Sequence, residues 1–262
     1  MSLLMGHFRE NDFSPLDIPG LVLWLDASDT DTLTGDPVTA WADKSASGLT
    51  ADDGAAGLEP TLNASAQNGL NGLEYDGNNT SNGEVLIVDD AAAIQNIFSG
   101  GGYIALAAKP LASGGADVGT LVAKGMTAAD GFLFMYTNTS GSDASVQLTK
   151  HFSGTDGAWR TTARPITYNN PYVIDVAYND GAVGNDPLVT VNGALAALTE
   201  TATPTGTSED DTTRALSIGG RDDGSTARSM DGYMLELMVF DEIPSVTSRA
   251  KIRTYLMNKW GI

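Results

Sequence analysis

Short bursts of alternating hydrophobic and polar residues run along most of this chain, and two longer apolar bursts stand near its ends. In Gly20-Leu-Val-Leu-Trp-Leu-Asp-Ala-Ser-Asp29 a strand's period of two sends Leu21, Leu23 and Leu25 one way and Val22 and Trp24 the other. Both sets are apolar, so the segment is predicted to lie covered on both sides, with residues 26–29 closing it in turn chemistry. Its partner is expected in Met230-Asp-Gly-Tyr-Met-Leu-Glu-Leu-Met-Val-Phe-Asp241, where Glu236 should share a face with Met234 and Met238. If these two strands share one core, the chain is a single closed sandwich. Further strands are predicted over 38–45, 72–77, 84–88, 103–108, 120–124, 132–136, 146–152, 159–162, 172–178, 188–192 and 215–218. Residues 45–70, rich in Ala, Gly, Asn and Asp, read as loop, and 91–98 as a short helix.

Seven Asp-Gly and four Asn-Gly dipeptides lie between these segments. Such pairs tolerate positive φ and suit tight hairpins, so the pattern predicts antiparallel, all-β structure. The exception is the C-terminus. Ser245 is placed to cap a helix in which Ile252, Tyr255, Leu256 and Trp260 follow helical spacing, and Gly261 stops it. Residues 1–19 carry Pro15 and Pro19 with no periodicity and read as an extended arm. No repeat or linker divides the remainder, so residues 20–262 are predicted to form one domain.

The bulk composition narrows the partners. Acids outnumber bases 33 to 14, a formal net charge of −19, which argues against nucleic acid or an anionic membrane. There is no cysteine, so disulfides, zinc-thiolate sites and thiol nucleophiles are excluded. No run approaches a membrane span, and the N-terminus lacks the pattern of a signal peptide, so synthesis without export by the general route is expected. His151 is expected to face solvent from a polar strand face, and the Gly-rich runs at 100–102 and 219–220 read as turns. For a sugar, aromatics beside polar loop residues are the signal. Trp159 and Tyr168 are the candidates, with Arg160 and Asn169 nearby, although packing at the sandwich edge is the simpler role for Trp159. Trp24, Trp41 and Trp260 are assigned to the core.

Several runs taken in order carry a family likeness: residues 20–29, Val38-Thr-Ala-Trp-Ala-Asp-Lys-Ser45, Gly69-Leu-Asn-Gly-Leu-Glu-Tyr-Asp-Gly77, Leu216-Ser-Ile-Gly-Gly-Arg221 and residues 230–241. Together they resemble the concanavalin A-like lectin/glucanase superfamily, and more narrowly the laminin-G-like domains of bacterial surface proteins and phage virions. The resemblance implies a jelly-roll sandwich of two antiparallel sheets with a short C-terminal helix. Glucanases of this superfamily carry alternating strand carboxylates as Glu-x-Asp-x-x-Glu. The nearest run here, Glu74-Tyr-Asp-Gly-Asn-Asn79, puts an asparagine where the acid should stand, so catalysis is not expected. The resemblance also implies a calcium ion at a loop rim, for which Asp26, Asp29, Asp43, Asp222 and Asp223 are the candidate ligands. The favoured reading gives Asp26, Asp29 and Asp43 backbone hydrogen bonds in turns instead.

The function expected from these observations is non-catalytic: a structural or binding protein of a bacteriophage virion, on capsid or tail, attached through its N-terminal arm. A homo-oligomer and a cell-surface glycan as ligand are part of that expectation. The alternative is a carbohydrate-binding or adhesion module of an extracellular or cell-surface protein, and a glycoside hydrolase is third.

Overall fold

Asn68-Gly69 and Asn192-Gly193 show the turn chemistry at work. Both residues of each pair take positive φ, 52° and 74° in the first and 48° and 76° in the second. That combination matches the twist of the flanking strands, and each pair closes a hairpin. A computed structural model describes residues 13–54, 57–77, 83–125 and 130–262. In chain order the first strands are β1 (Leu21–Asp26), β2 (Leu33–Thr34), β3 (Ala40–Ala42), β4 (Thr50–Asp53), β5 (Thr61–Gln67), β6 (Leu70–Tyr75) and β7 (Leu86–Val88). Next come β8 (Gly102–Pro110), β9 (Gly119–Lys124), β10 (Phe132–Ser140), β11 (Asp143–Lys150), β12 (Gly157–Thr161) and β13 (Ile166–Thr167). The last are β14 (Tyr172–Tyr178), β15 (Leu188–Val191), β16 (Ala194–Leu195), β17 (Leu198–Ala202), β18 (Leu216–Ile218) and β19 (Gly232–Phe240), followed by helix α1 (Val246–Trp260).

Among the described residues the strands form two antiparallel sheets. One has the order β16-β15-β14-β8-β19-β6-β5, with β1 also on β19; the other runs β17-β12-β11-β10-β9-β18-β7-β4-β3-β2, with β13 on β11. The first and last long strands do pair, with Trp24 opposite Met238 and Asp26 opposite Glu236. One edge of β19 is divided between two neighbours. Residues 232–234 pair with β6, residues 236–240 pair with β1, and the Ala27 N–H donates to the Leu235 carbonyl at the junction.

That junction breaks the alternation. Met234, Leu237 and Val239 enter the core between the sheets, while Leu235, Met238 and Phe240 pack on the opposite face, beneath α1. A bulge between Met234 and Glu236 puts Leu235 and Glu236 on the helix side together. Glu236 therefore shares a face with Met238 but not with Met234. A similar irregularity between Leu21 and Leu23 sends Val22 inward with Leu23, and Leu21 to the helix side with Trp24.

Helix α1 has the predicted ends. The Ser245 hydroxyl accepts from the Ser248 N–H at 3.1 Å, and Gly261 adopts the left-handed conformation at φ 67°. Ile252, Leu256 and Trp260 are buried against Tyr103, Val173 and Phe240. The described part of the arm lies on the same helix: the Phe13 ring meets Tyr255 edge-on at 5.7 Å, and Ser14 caps a short turn over Pro15–Asp17. Residues 1–12 lie outside the described residues.

Two predicted elements need correction. The stretch read as loop contains β4 and β5, because β5 is an edge strand whose half-exposed face carries Asn, Ser and Gln instead of an apolar alternation. The helix expected over 91–98 is a single tight turn at Ala92–Ile94 that buries Ile94.

Candidate functional site

Three depressions line up along one edge of the sandwich, where the chain crosses from β15 and β16 in one sheet to β17 in the other. Their volumes are about 360, 310 and 550 Å³, within the range of ligand pockets. The first and second share Asp186 and Leu188, and the second and third share Leu195 and Ala196. Strand alternation in β12 sends Trp159 inward into this edge, with Ala158 and Arg160 pointing the other way. Trp159 is 1% exposed, and its Nε1 donates to the Asp186 carboxylate at 2.7 Å. Its ring leans on Tyr178 at 5.1 Å, and a side chain at Gly157 would run into the indole, only 2.3 Å away. Glu200, on β17, stands opposite Trp159 in the strand pairing and also lines the middle depression.

Tyr178 lines the first depression beside Asn179 and Asn185. Its hydroxyl is buried and has no hydrogen-bond partner among the described residues. Burial, then Asp180, Asp186 and Glu200, push that hydroxyl well above the usual tyrosine range, so it stays a neutral donor. The arrangement offers carboxylate acceptors, amide side chains and an apolar floor laid over the buried Trp159 and Tyr178 rings.

The four predicted sugar-site residues do not converge. Trp159 is opposite Leu148 on β11, whereas the Tyr168 N–H donates to the Ser142 carbonyl at the other end of that strand. Six residues of extended chain separate them by about 20 Å. Tyr168 packs edge-on to Tyr136 at 6.3 Å, and Asn169 takes a turn conformation with its N–H on the Pro110 carbonyl. Arg160 projects from the outer face of its sheet. Asp186 and Glu200, which complete the site around Trp159, carry no local motif that sequence reasoning could have used.

The candidate calcium ligands fall in two places and are engaged by protein partners. Asp26 and Asp29 both hold the Lys44 ammonium, at 2.9 and 2.7 Å. Asp43 accepts the backbone N–H groups of Trp24 and Ser45 at 2.8 and 2.7 Å, the turn role favoured from sequence. Asp223 is forked onto Arg221 at 3.0 and 2.9 Å, next to Asp222 in the loop before β19. Among the described residues no three His, Cys, Asp or Glu side chains gather as a metal site would require.

Buried charge is concentrated elsewhere. Glu236 is fully buried and accepts from Trp24 Nε1 at 2.7 Å, Tyr255 Oη at 3.0 Å, Lys259 Nζ at 2.8 Å and Trp260 Nε1 at 2.9 Å. Burial raises its carboxyl above the usual range despite the Lys259 cation. Burial also pushes on Asp26, but there Lys259, Ser28 and Lys44 prevail and hold the carboxyl below its ordinary value. Under the other sheet Lys124 is fully buried, with its ammonium 3.0 Å from the Asp211 carboxylate and donating to the Asp211 and Arg214 carbonyls at 2.8 and 2.7 Å. Neither network was visible in the residue pattern. His151 stands just past β11 with Nδ1 3.0 Å from the Asp156 carboxylate, closing a turn, not facing solvent freely.

Of the residues weighed for glycoside chemistry, Glu74 accepts from the Asn63 amide at 2.9 Å, and Asn79 lies outside the described residues. Glu84 accepts the Asp76 N–H at 2.7 Å, and burial, with Asp76, Glu74 and Glu59 close by, pushes its carboxyl from 4.5 up to about 7. A raised acid favours folding in its protonated form, so this stabilisation is complete below 4.5 and is lost as pH rises through about 7. Glu84→Gln is accordingly expected to raise the melting temperature at about pH 8 and leave it nearly unchanged at about pH 4, as read by thermal denaturation at both. An equal shift at both pH values would show that the charge of Glu84 is not the cause.

No family model matches this sequence, and no curated protein matches it. Solved structures do. The binding domain of botulinum neurotoxin DC in complex with SialylT aligns with a TM-score of 0.59 and 10% identity, over 90% of this chain and 52% of that one. The binding domain of Paraclostridial mosquitocidal protein 1 aligns with a TM-score of 0.57 and 11% identity, over 92% and 52%. A native heptameric SAP-like pentraxin from Limulus polyphemus gives 0.48 and 15%, over 67% and 77%. This chain thus spans about half the length of the two toxin domains. At such identities the likeness is one of fold, a jelly-roll sandwich of two antiparallel sheets.

Proposed function

We propose that this chain is a non-catalytic carbohydrate-recognition module whose site is the sandwich edge around Trp159. The observation that carries the reading is the indole of Trp159, held by Asp186 at 2.7 Å within a run of three adjoining depressions. Sugars combine apolar C–H faces with many hydroxyl donors, so an apolar floor flanked by carboxylates and amides complements them. The toxin domain solved with SialylT shares this fold, which supports recognition as its use without assigning the ligand. The non-catalytic part is supported by Glu236, whose carboxylate is enclosed by four donors and inaccessible to a substrate.

The test is a glycan array followed by titration calorimetry. Asp186→Asn and Glu200→Gln are preferred to changes at Trp159, which belongs to the core. Each is expected to weaken the best hit about tenfold, the effect of one lost charge-assisted hydrogen bond, with the melting temperature little changed. An array without hits, or hits indifferent to both substitutions, would overturn the site.

The setting we propose is a phage particle, with the N-terminal arm as its attachment. The packing of Phe13 on Tyr255 gives that arm a fixed root on α1. Mass spectrometry of purified particles should find the chain at high copy, and a chain lacking residues 1–12 should fold but fail to attach. Recovery only from soluble lysate, or attachment without the arm, counts against this setting.

A further inference from the structure

We infer that the edge site admits glycans bearing no negative charge, neutral or amine-bearing, and rejects acidic ones. The inference rests on the site proposed above and concerns its selectivity. Among the described residues no Lys, Arg or His lines any of the three depressions, and their charged lining is Asp186 and Glu200. The surrounding chain carries a formal net charge of −19, so the long-range field repels an anion before it reaches the edge. At the site a carboxylate or sulfate would meet two exposed carboxylates of like charge and, among the described lining residues, no cation to answer it. The nearest supply of neutral donors is no substitute. Asn179 and Asn185 rim the first depression, and the Tyr178 hydroxyl, buried and unpartnered among the described residues, offers one hydrogen. Such groups suit a hydroxyl or an acetamido group, while both carboxylates suit a hydroxyl or an ammonium.

Basic residues do line another cavity. Lys251 and Lys259 border the groove between α1 and Phe13, on the helix and well apart in the chain from the edge strands. An acidic glycan bound there would be insensitive to changes at Asp186 and Glu200, which separates the two places experimentally.

The experiment is an array carrying neutral, amine-bearing, sulfated and sialylated glycans, probed with the full chain and with Glu200→Lys. The expected result is hits among neutral and amine-bearing glycans, with sialylated forms at least about tenfold weaker than their asialo counterparts. Glu200→Lys should narrow or reverse that gap and depress the amine-bearing hits. Sialylated glycans bound as tightly as asialo forms, and weakened by Asp186→Asn, would overturn the selectivity while leaving the site in place. Hits unaffected by either substitution, or no hits in any class, would overturn both.

Discussion

Lys259→Met is expected to lower the unfolding free energy by about 3–5 kcal/mol. The ammonium of Lys259 lies 2.6 Å from Asp26 and 2.8 Å from Glu236, and it is the cation nearest the fully buried Glu236. Removing it leaves Glu236, among the described residues, with three neutral donors and no opposite charge in direct contact. Methionine keeps most of the aliphatic stem, so the loss is electrostatic and not a cavity. Urea unfolding followed by tryptophan fluorescence reads it directly, because Trp24 and Trp260 both donate to the same carboxylate. The pH response gives a second check. The depressed carboxyl of Asp26 stabilises the fold above its ordinary value of 3.8, and that contribution is lost as pH falls through the lower folded-state value. The variant should lose part of this acid-side slope. A change of less than about 1 kcal/mol would place the pair with ordinary surface ion pairs and sink the account.

Lys124→Met is expected to have an effect of the same order, about 3–5 kcal/mol, at a separate place. Here the ammonium serves as an internal counter-ion for the acidic loop before β18. It neutralises Asp211, whose side chain is 2% exposed, and also donates to the backbone carbonyls of Asp211 and Arg214. Asn96 fastens the same loop from the other side, giving and receiving hydrogen bonds with Asp211. The substitution should therefore expose residues 208–214 to proteolysis and hydrogen exchange well before global unfolding. Lys44→Met is the control. Lys44 is 22% exposed and supplements a carboxylate that Lys259 already serves, so about 1 kcal/mol is expected. Equal losses for the two would mean that burial does not set the scale.

The pairing of β1 with β19 and the ends of α1 were legible because each depends on local chemistry: period-two apolar runs, a serine cap, a terminal glycine. The bulge at Leu235 was not. It arises where β6 and β1 share one edge of β19, a fact about three strands far apart in sequence, and it alone decides which side Glu236 faces. Strand β5 was missed because an edge strand with one solvated face loses its apolar signature. Lys124 looked like any other strand lysine, since nothing local reveals a loop 87 residues away that folds over it. The site was half legible. Trp159 stood out as an aromatic beside polar turns, but its neighbours in sequence proved distant in space. Its real companions are Asp186, on a loop 27 residues on, and Glu200, across a strand pairing.

The zipping of β1 onto β19 also dictates when the molecule can fold. Trp24 must wait for Met238, so the sheet that carries them stays unfinished until the more than two hundred residues between them have left the ribosome. Contacts of such long sequence separation make folding slow. Meanwhile the run Leu-Val-Leu-Trp-Leu stays available to other nascent copies. Refolding yield should fall steeply with protein concentration, and a peptide matching residues 232–240 added in excess should trap a form in which β1 is already occupied.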